Sequence, residues 1–333
     1  MRRFLKLFID PLLDALRPRV IVEVGADLDG VTTALLGWAK ANGAVVHAID
    51  PDPALSVEGL LAESGEQLRF HRTRSLGVLQ EITSVDLALI DGDHNWYTVI
   101  NELRALERRA RLDGRDPPVV LVHEIGWPYG RRDTYADPEA IPEPYRQPHE
   151  HRGVVPGQIE LDAGLDDDRA NALLEGTPAN GVLSAVEDFL GESEGPWRSW
   201  SIPGLGGLGI LVSEAVLESS APLRELLQSI DTPTFLRAQC EAIEQARIES
   251  EHRRARLLRR LAETQLKQIM RSPDPREAVA LKRRVRELSE EVRELTERLE
   301  RVEELEEQLR LLTGAQADAP GAVEGVAESE VPR

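Results

Sequence analysis

The chain is 333 residues long, enough for one large domain with an appendage or for two ordinary domains, and it can bury a sizeable core. Its 59 acidic residues outnumber 40 basic ones, and the formal charge of -19 argues against nucleic-acid binding, which needs clustered cations to displace counterions. The single cysteine, Cys240, excludes an internal disulfide or a thiolate metal cage and suits a cytoplasmic setting, and no run approaches the ~20 apolar residues of a membrane span.

Met1-Arg2-Arg3 followed by Phe4 to Ile9 begins like a secretory signal, but Lys6, Asp10 and Asp14 interrupt the apolar run and no small-residue cleavage site follows. Phe4, Leu5, Phe8, Leu12, Leu13 and Leu16 recur at helical spacing, so residues 1–17 are predicted as an amphipathic helix packed on the domain that follows. From residue 18 onward short apolar runs alternate with helical segments, the pattern of a parallel β/α architecture. Strands are expected at 19–24, 44–49, 67–72, 85–90 and 118–122, with helices at 31–41, 55–63 and 96–112. The rhythm then breaks: 123–180 is rich in Pro, Gly, Arg and Tyr, and a stretch of that length inside a compact domain is expected to be a lid insertion. A helix near 182–190 and two runs, 197–202 and 208–212, joined by Pro203-Gly204-Leu205-Gly206-Gly207, read as a closing β-hairpin, which ends the domain near residue 215.

Residues 216–270 read as charged helix. From Ala278 a heptad runs through Ala278, Val285, Val292 and Leu299 at one position and Leu281, Leu288, Leu295, Val302 and Leu309 at the other. Valine with leucine at these positions favours a parallel two-stranded coiled coil over 277–313, a route to a homodimer or a larger assembly; a long helix folded back on the domain fits the same pattern. Residues 314–333, full of Ala, Gly, Glu and Pro, are predicted to be disordered.

Three constellations can carry chemistry. The turn Gly25 to Gly30 leaves a strand and opens a helix, so a ligand can approach the backbone closely, though the spacing is not that of a dinucleotide cradle. Asp50, at the tip of the second strand, is positioned to accept hydrogen bonds from two ribose hydroxyls. Asp91-Gly92-Asp93-His94 follows the fourth strand and His123-Glu124 ends the fifth, so both clusters lie at the sheet edge where ligands bind in open α/β folds. Asp93 or Asn95 also suits the cap of the next helix. His94 also reads as a helix-start histidine and His123-Glu124 as an anchor for the long loop.

At Glu23-Val24-Gly25-Ala26-Asp27-Leu28-Asp29-Gly30-Val31-Thr32-Thr33 the chain resembles the first motif of the class I S-adenosylmethionine-dependent methyltransferases. The hairpin after the fifth strand is similar to the end of that superfamily's seven-stranded, Rossmann-like sheet. Ile90-Asp91-Gly92-Asp93-His94 and His123-Glu124 resemble a subgroup that includes macrocin-type sugar O-methyltransferases. The resemblance covers residues 18–215. It implies that Glu23, Gly25, Gly30 and Gly92 border the cofactor and that Asp50 holds its ribose. It further implies Mg²⁺ or Mn²⁺ on Asp91, His123 and Glu124, with the imidazole favouring the softer ion. Asp91 and His94 are the expected catalytic residues, His94 as base because an imidazole near its usual pKa suits proton abstraction. Tyr129, Arg131, Arg132, Asp133 and Tyr135 are expected to meet a small-molecule or glycosyl acceptor. Alternatives are a coiled-coil scaffold or binding protein with a vestigial methyltransferase domain, and an oxygenase-like activity on the same scaffold.

Overall fold

Short runs rich in Val, Ile and Leu form four of the first five strands of the computed structural model, Leu68–His71 (Leu-Arg-Phe-His) being the exception; the structure describes residues 1–26, 30–53 and 57–271 together with 283, 284 and 287. The five strands are β1 (Val20–Val24), β2 (Val45–Ile49), β3 (Leu68–His71), β4 (Leu87–Ile90) and β5 (Val119–His123). The expected coiled coil and terminal tail lie outside the described residues, apart from those isolated helical positions. Helical turns at 2–9 run into α1 (Asp10–Leu16), and α2 (Gly30–Asn42), α3 (Val57–Ser64) and α4 (Trp96–Leu112) alternate with the strands.

The long insertion is folded. It contains β6 (Thr134–Tyr135), β7 (His149–His151) and β8 (Ala170–Ala172), a small antiparallel sheet in the order β6-β8-β7. After α5 (Val182–Glu192), the hairpin of β9 (Trp197–Ile202) and β10 (Leu208–Ser213) completes a seven-stranded sheet in the order β3-β2-β1-β4-β5-β10-β9. The first five of these strands are parallel and the hairpin is antiparallel to them. The helices α6 (Glu214–Ser219), α7 (Ala221–Ser229) and α8 (Pro233–Arg271) follow. One compact unit comprises Met1–Ile243; a second, Glu244–Arg333, begins inside α8.

Two apolar layers cover the sheet. On one face Phe4, Phe8, Leu12, Leu35, Leu223 and Leu227 are all but fully buried against Ile21, Val46 and Ile210. On the other, Val99, Leu103 and Phe189 pack on Val22, Ile90 and Val120. Full burial of one such side chain stabilises by roughly 1.5–3 kcal/mol, so the leading segment is bound firmly to the domain through Phe4, Phe8 and Leu12. The strand order reverses between β1 and β4, and the crevice beyond the carboxyl ends of those two strands is where ligands bind in open α/β sheets.

Candidate functional site

Strand register assembles the site. Val24 pairs with Ile90 and Ile90 with Val122, so Gly25 and Asp91, one residue beyond β1 and β4, stand level with His123, the last residue of β5. His123 in turn pairs with Leu208 of β10, which brings the glycine-rich hairpin turn alongside. Gly25 has φ +78, and a Cβ on it would lie 2.2 Å from the carbonyl oxygen of Asp91. Only glycine lets the ends of β1 and β4 come this close. Gly92 is packed against the same turn, its Cβ direction meeting Val24 Cγ1 at 3.0 Å.

Asp91 is the hub. Its Oδ1 lies 2.6 Å from His123 Nδ1 and 3.3 Å from His94 Nε2, and its Oδ2 accepts a hydrogen bond from the Met1 amino group at 2.6 Å. Burial opposes ionisation of Asp91, but the hydrogen bonds from His123 and His94, with the charges of His123 and the amino terminus, outweigh it and hold the carboxyl far below the usual carboxylate range. His123 Nε2 faces the Leu205 carbonyl oxygen at 3.1 Å, and Leu205 has φ +56, so the turn is shaped to offer that oxygen. The edge of Phe4 packs on the His123 ring. Tyr129 stacks on His94, with ring centroids 6.0 Å apart and planes inclined by 15°, while its hydroxyl donates to Asp166. Nδ1 of His94 is buried and has no hydrogen-bond partner among the described residues.

Ligand atoms of Asp91, His94 and His123 all lie within 4.8 Å of one another, a group able to hold a metal ion. The donor chemistry fits a divalent ion of borderline softness. The Leu205 carbonyl fits as well, because it can accept from Nε2–H of His123, so that an ion replacing the proton between Nδ1 and Asp91 would find Nδ1 as its ligand atom, with the usual outer support of a metal-bound imidazole. Glu124, expected from the sequence as the third ligand, is not in this group, and His94 stands in its stead. The backbone explains the difference: Glu124 has φ +61, so the chain turns as β5 ends, and its carboxylate packs against Gly206. Burial raises its pKa, against the pull of His123 and His94, and its Oε2 has no partner among the described residues.

Beside Asp91 a cavity of about 170 Å³ is walled by Met1, Arg2, Glu23, Gly25, Val31 and Leu89. Glu23, the one acidic residue of β1, is 4% exposed and reaches this cavity from inside the sheet. Gly30 opens α2 with the side chain of Arg2 against it. Asp50 ends β2; its N–H donates to the His71 carbonyl and its Oδ1 accepts from the N–H of Asp52.

The residues expected to meet the acceptor also make contacts within the protein. Arg132 is fully buried, and its guanidinium binds the carbonyls of Ala172 and Ile159, holding the insertion together. Asp133 Oδ1 accepts from the N–H groups of Trp96, at the start of α4, and of Gly181, at the start of α5; Oδ2 accepts from Tyr135. Burial lifts the Asp133 carboxyl to about 6. Arg131 pairs with Glu187 at the surface. Of the five, Tyr129 alone touches a member of the Asp91 group, through His94. The helix cap falls to Asn95, which accepts from the N–H of Thr98, while Asp93 binds Asn95, Thr98 and the N–H of Ala136. The contributions of Leu205, Phe4 and Asp166 were not visible in the sequence, although the glycines around Leu205 marked a tight turn.

Residues 22–125 match a family model described as a methyltransferase domain, a span that runs from within β1 to just past β5 and contains Glu23, Gly25, Asp50, Asp91, His94 and His123. The match is confined to this segment, which is similar to a methyltransferase domain. Among solved structures the chain is similar to the 1,6-didemethyltoxoflavin-N1-methyltransferase of Burkholderia thailandensis, with 16% identity over 63% of this chain and 77% of that one and a TM-score of 0.36. It is also similar to a methyltransferase of Podospora anserina, with 13% identity, coverage of 61% and 76% and a TM-score of 0.37. A methyltransferase of Geobacter sulfurreducens shows 14% identity, coverage of 63% and 78% and a TM-score of 0.34. No curated protein matches the chain.

Proposed function

We propose that this methyltransferase takes its methyl group from S-adenosylmethionine and delivers it to a hydroxyl of a small-molecule or glycosyl acceptor. The observation that carries the reading is the convergence of Asp91, His94 and His123 beside a cavity walled by Glu23 and Gly25. The cofactor supplies an electrophilic methyl on a sulfonium, and the protein's task is to hold the two reactants in line and manage one proton.

Asp50, at the end of β2, accepts hydrogen bonds from the ribose hydroxyls. Glu23 faces the amino-acid end, and Gly25, Gly30 and Gly92 border it. A hydroxyl is a weak nucleophile at neutral pH and must lose its proton as it attacks. His94 is built for this step: Nε2–H donates to Asp91, which fixes the tautomer, and Nδ1 keeps its lone pair for the acceptor's proton. Tyr129 holds the ring by stacking on it. Asp91, His94 and His123 would hold a divalent ion, and Mn²⁺ suits two imidazoles and one carboxylate better than Mg²⁺. Such an ion would lower the pKa of the acceptor hydroxyl. The two uses of His94 exclude one another, since a ring bound to metal through Nε2 carries its proton on Nδ1.

Incubating the full chain with methyl-labelled S-adenosylmethionine and a panel of free and nucleotide-linked sugars, with Mn²⁺ or with chelator, tests the reading. Label in an acceptor hydroxyl, lost in Asp91→Asn, is the expected result. Transfer undiminished by chelator removes the ion and leaves His94 as base. A protein that binds the cofactor yet labels no acceptor would instead favour a binding role.

A further inference from the structure

The first residues of the chain form part of the cavity beside Asp91. Met1 and Arg2 line it, and Phe4, fully buried against the edge of His123, anchors the segment that carries them. The stem of Arg2 lies across the start of α2, with Cδ 2.7 Å from where a Gly30 Cβ would stand. The absence of a side chain at Gly30 is therefore what lets Arg2 reach this wall.

Size and charge indicate which part of a cofactor the cavity takes. At about 170 Å³ it has the volume of roughly five or six liquid waters, well below the ~300 Å³ at which ligand pockets usually begin. It suits the amino-acid end of S-adenosylmethionine and not the nucleoside. That end is a zwitterion, with an ammonium and a carboxylate on one carbon. Glu23 and Asp91 line it with carboxylates, each of which also has partners within the protein. Arg2 carries the one cationic side chain among the described residues lining the cavity. An arginine fork matches a carboxylate with two parallel hydrogen bonds.

We propose that Arg2 binds the α-carboxylate of the cofactor's methionine moiety while Glu23 faces its ammonium, so that the leading segment is a working wall of the cofactor site. The proposal rests on reading the cavity as an S-adenosylmethionine site. Arg2 is exposed, so its replacement leaves the core intact.

Calorimetric titration of the full chain with S-adenosylhomocysteine and with 5′-methylthioadenosine, which keeps the nucleoside and sulfur but lacks the amino-acid end, tests it. Arg2→Ala should weaken S-adenosylhomocysteine by roughly 10- to 100-fold, the range for a charged hydrogen bond, and leave methylthioadenosine unchanged. Arg2→Lys should recover part of the loss. Wild-type affinity of Arg2→Ala for S-adenosylhomocysteine overturns the proposal while leaving the cofactor reading in place. Equal weakening of both ligands also overturns it, because the segment would then act on the fold alone. Failure of the unaltered chain to bind either ligand overturns the cofactor reading and this proposal with it.

Discussion

Two aspartates flank β4. Asp86 precedes it and Asp91 follows it, and their side chains are similarly shielded, 19% and 22% exposed. Their partners differ in kind. Asp86 accepts hydrogen bonds from the backbone N–H groups of Arg19 and Val20 and pairs with the Arg115 guanidinium at 2.6 Å, so one carboxylate ties together the amino ends of β1 and β4. Every partner there is a fixed donor that neither titrates near neutrality nor leaves a coordination position open. Asp91 meets two imidazoles and stands against a cavity. Burial is the same; what separates a staple from a reactive group is whether its neighbours can exchange protons or accept a ligand.

The largest effect that sharpens this contrast is expected at Asp91. Asp91→Asn should lower methyl transfer by at least ~100-fold, the scale of a lost acid–base or electrostatic element, with S-adenosylhomocysteine affinity changed only a few fold. Steady-state kinetics beside calorimetry would show it, and unchanged turnover would break the contrast. Asp86→Ala should do the reverse. It leaves two backbone donors and Arg115 without a partner, so unfolding in urea should show a loss of about 1–3 kcal/mol while turnover per folded molecule is kept.

Glu102 tests a third environment, a carboxyl with neither cation nor cavity. It is fully buried, its carboxyl accepts from Ser75 Oγ, and burial lifts it to about 8, opposed by that hydrogen bond and reinforced by Asp93. The folded chain therefore holds this proton more tightly than the unfolded chain does. The contribution is fully present below the ordinary carboxylate pKa of 4.5 and is lost as pH rises through about 8. Between about pH 5 and pH 8, wild-type unfolding free energy should fall by a few kcal/mol more than that of Glu102→Gln. Parallel curves would contradict this. The smallest change is expected for Tyr129→Phe, which keeps the ring on His94 and loses the hydrogen bond to Asp166. It should cost ~1 kcal/mol of stability and alter turnover less than about threefold.

The sheet was legible because its parallel strands, the edge strand β3 apart, are short apolar runs ending at polar turns. The hairpin was legible because glycines cluster between two such runs. Asp91 and His94 are three residues apart, so their proximity could be read directly, and His123 follows once β4 and β5 are taken as neighbours. The position of Glu124 outside the Asp91 group was not legible, because a left-handed turn at the end of β5 has no signature in the adjacent residue types. The contacts inside the insertion were illegible for a different reason. Arginines in a loop ordinarily face solvent or ligand, whereas Arg132 is buried and donates from both terminal nitrogens to backbone carbonyls brought from 27 and 40 residues away. That binding, together with the Glu175 ion pair, depends on tertiary closure and leaves no periodic trace in the sequence.

The most direct measurement is calorimetric titration of the full chain with S-adenosylmethionine, with Asp50→Ala as the control. The account predicts saturable one-to-one binding that the substitution weakens at least ~10-fold, as expected when a charged hydrogen-bond acceptor to the ribose is removed. No detectable binding by the unaltered chain would contradict it.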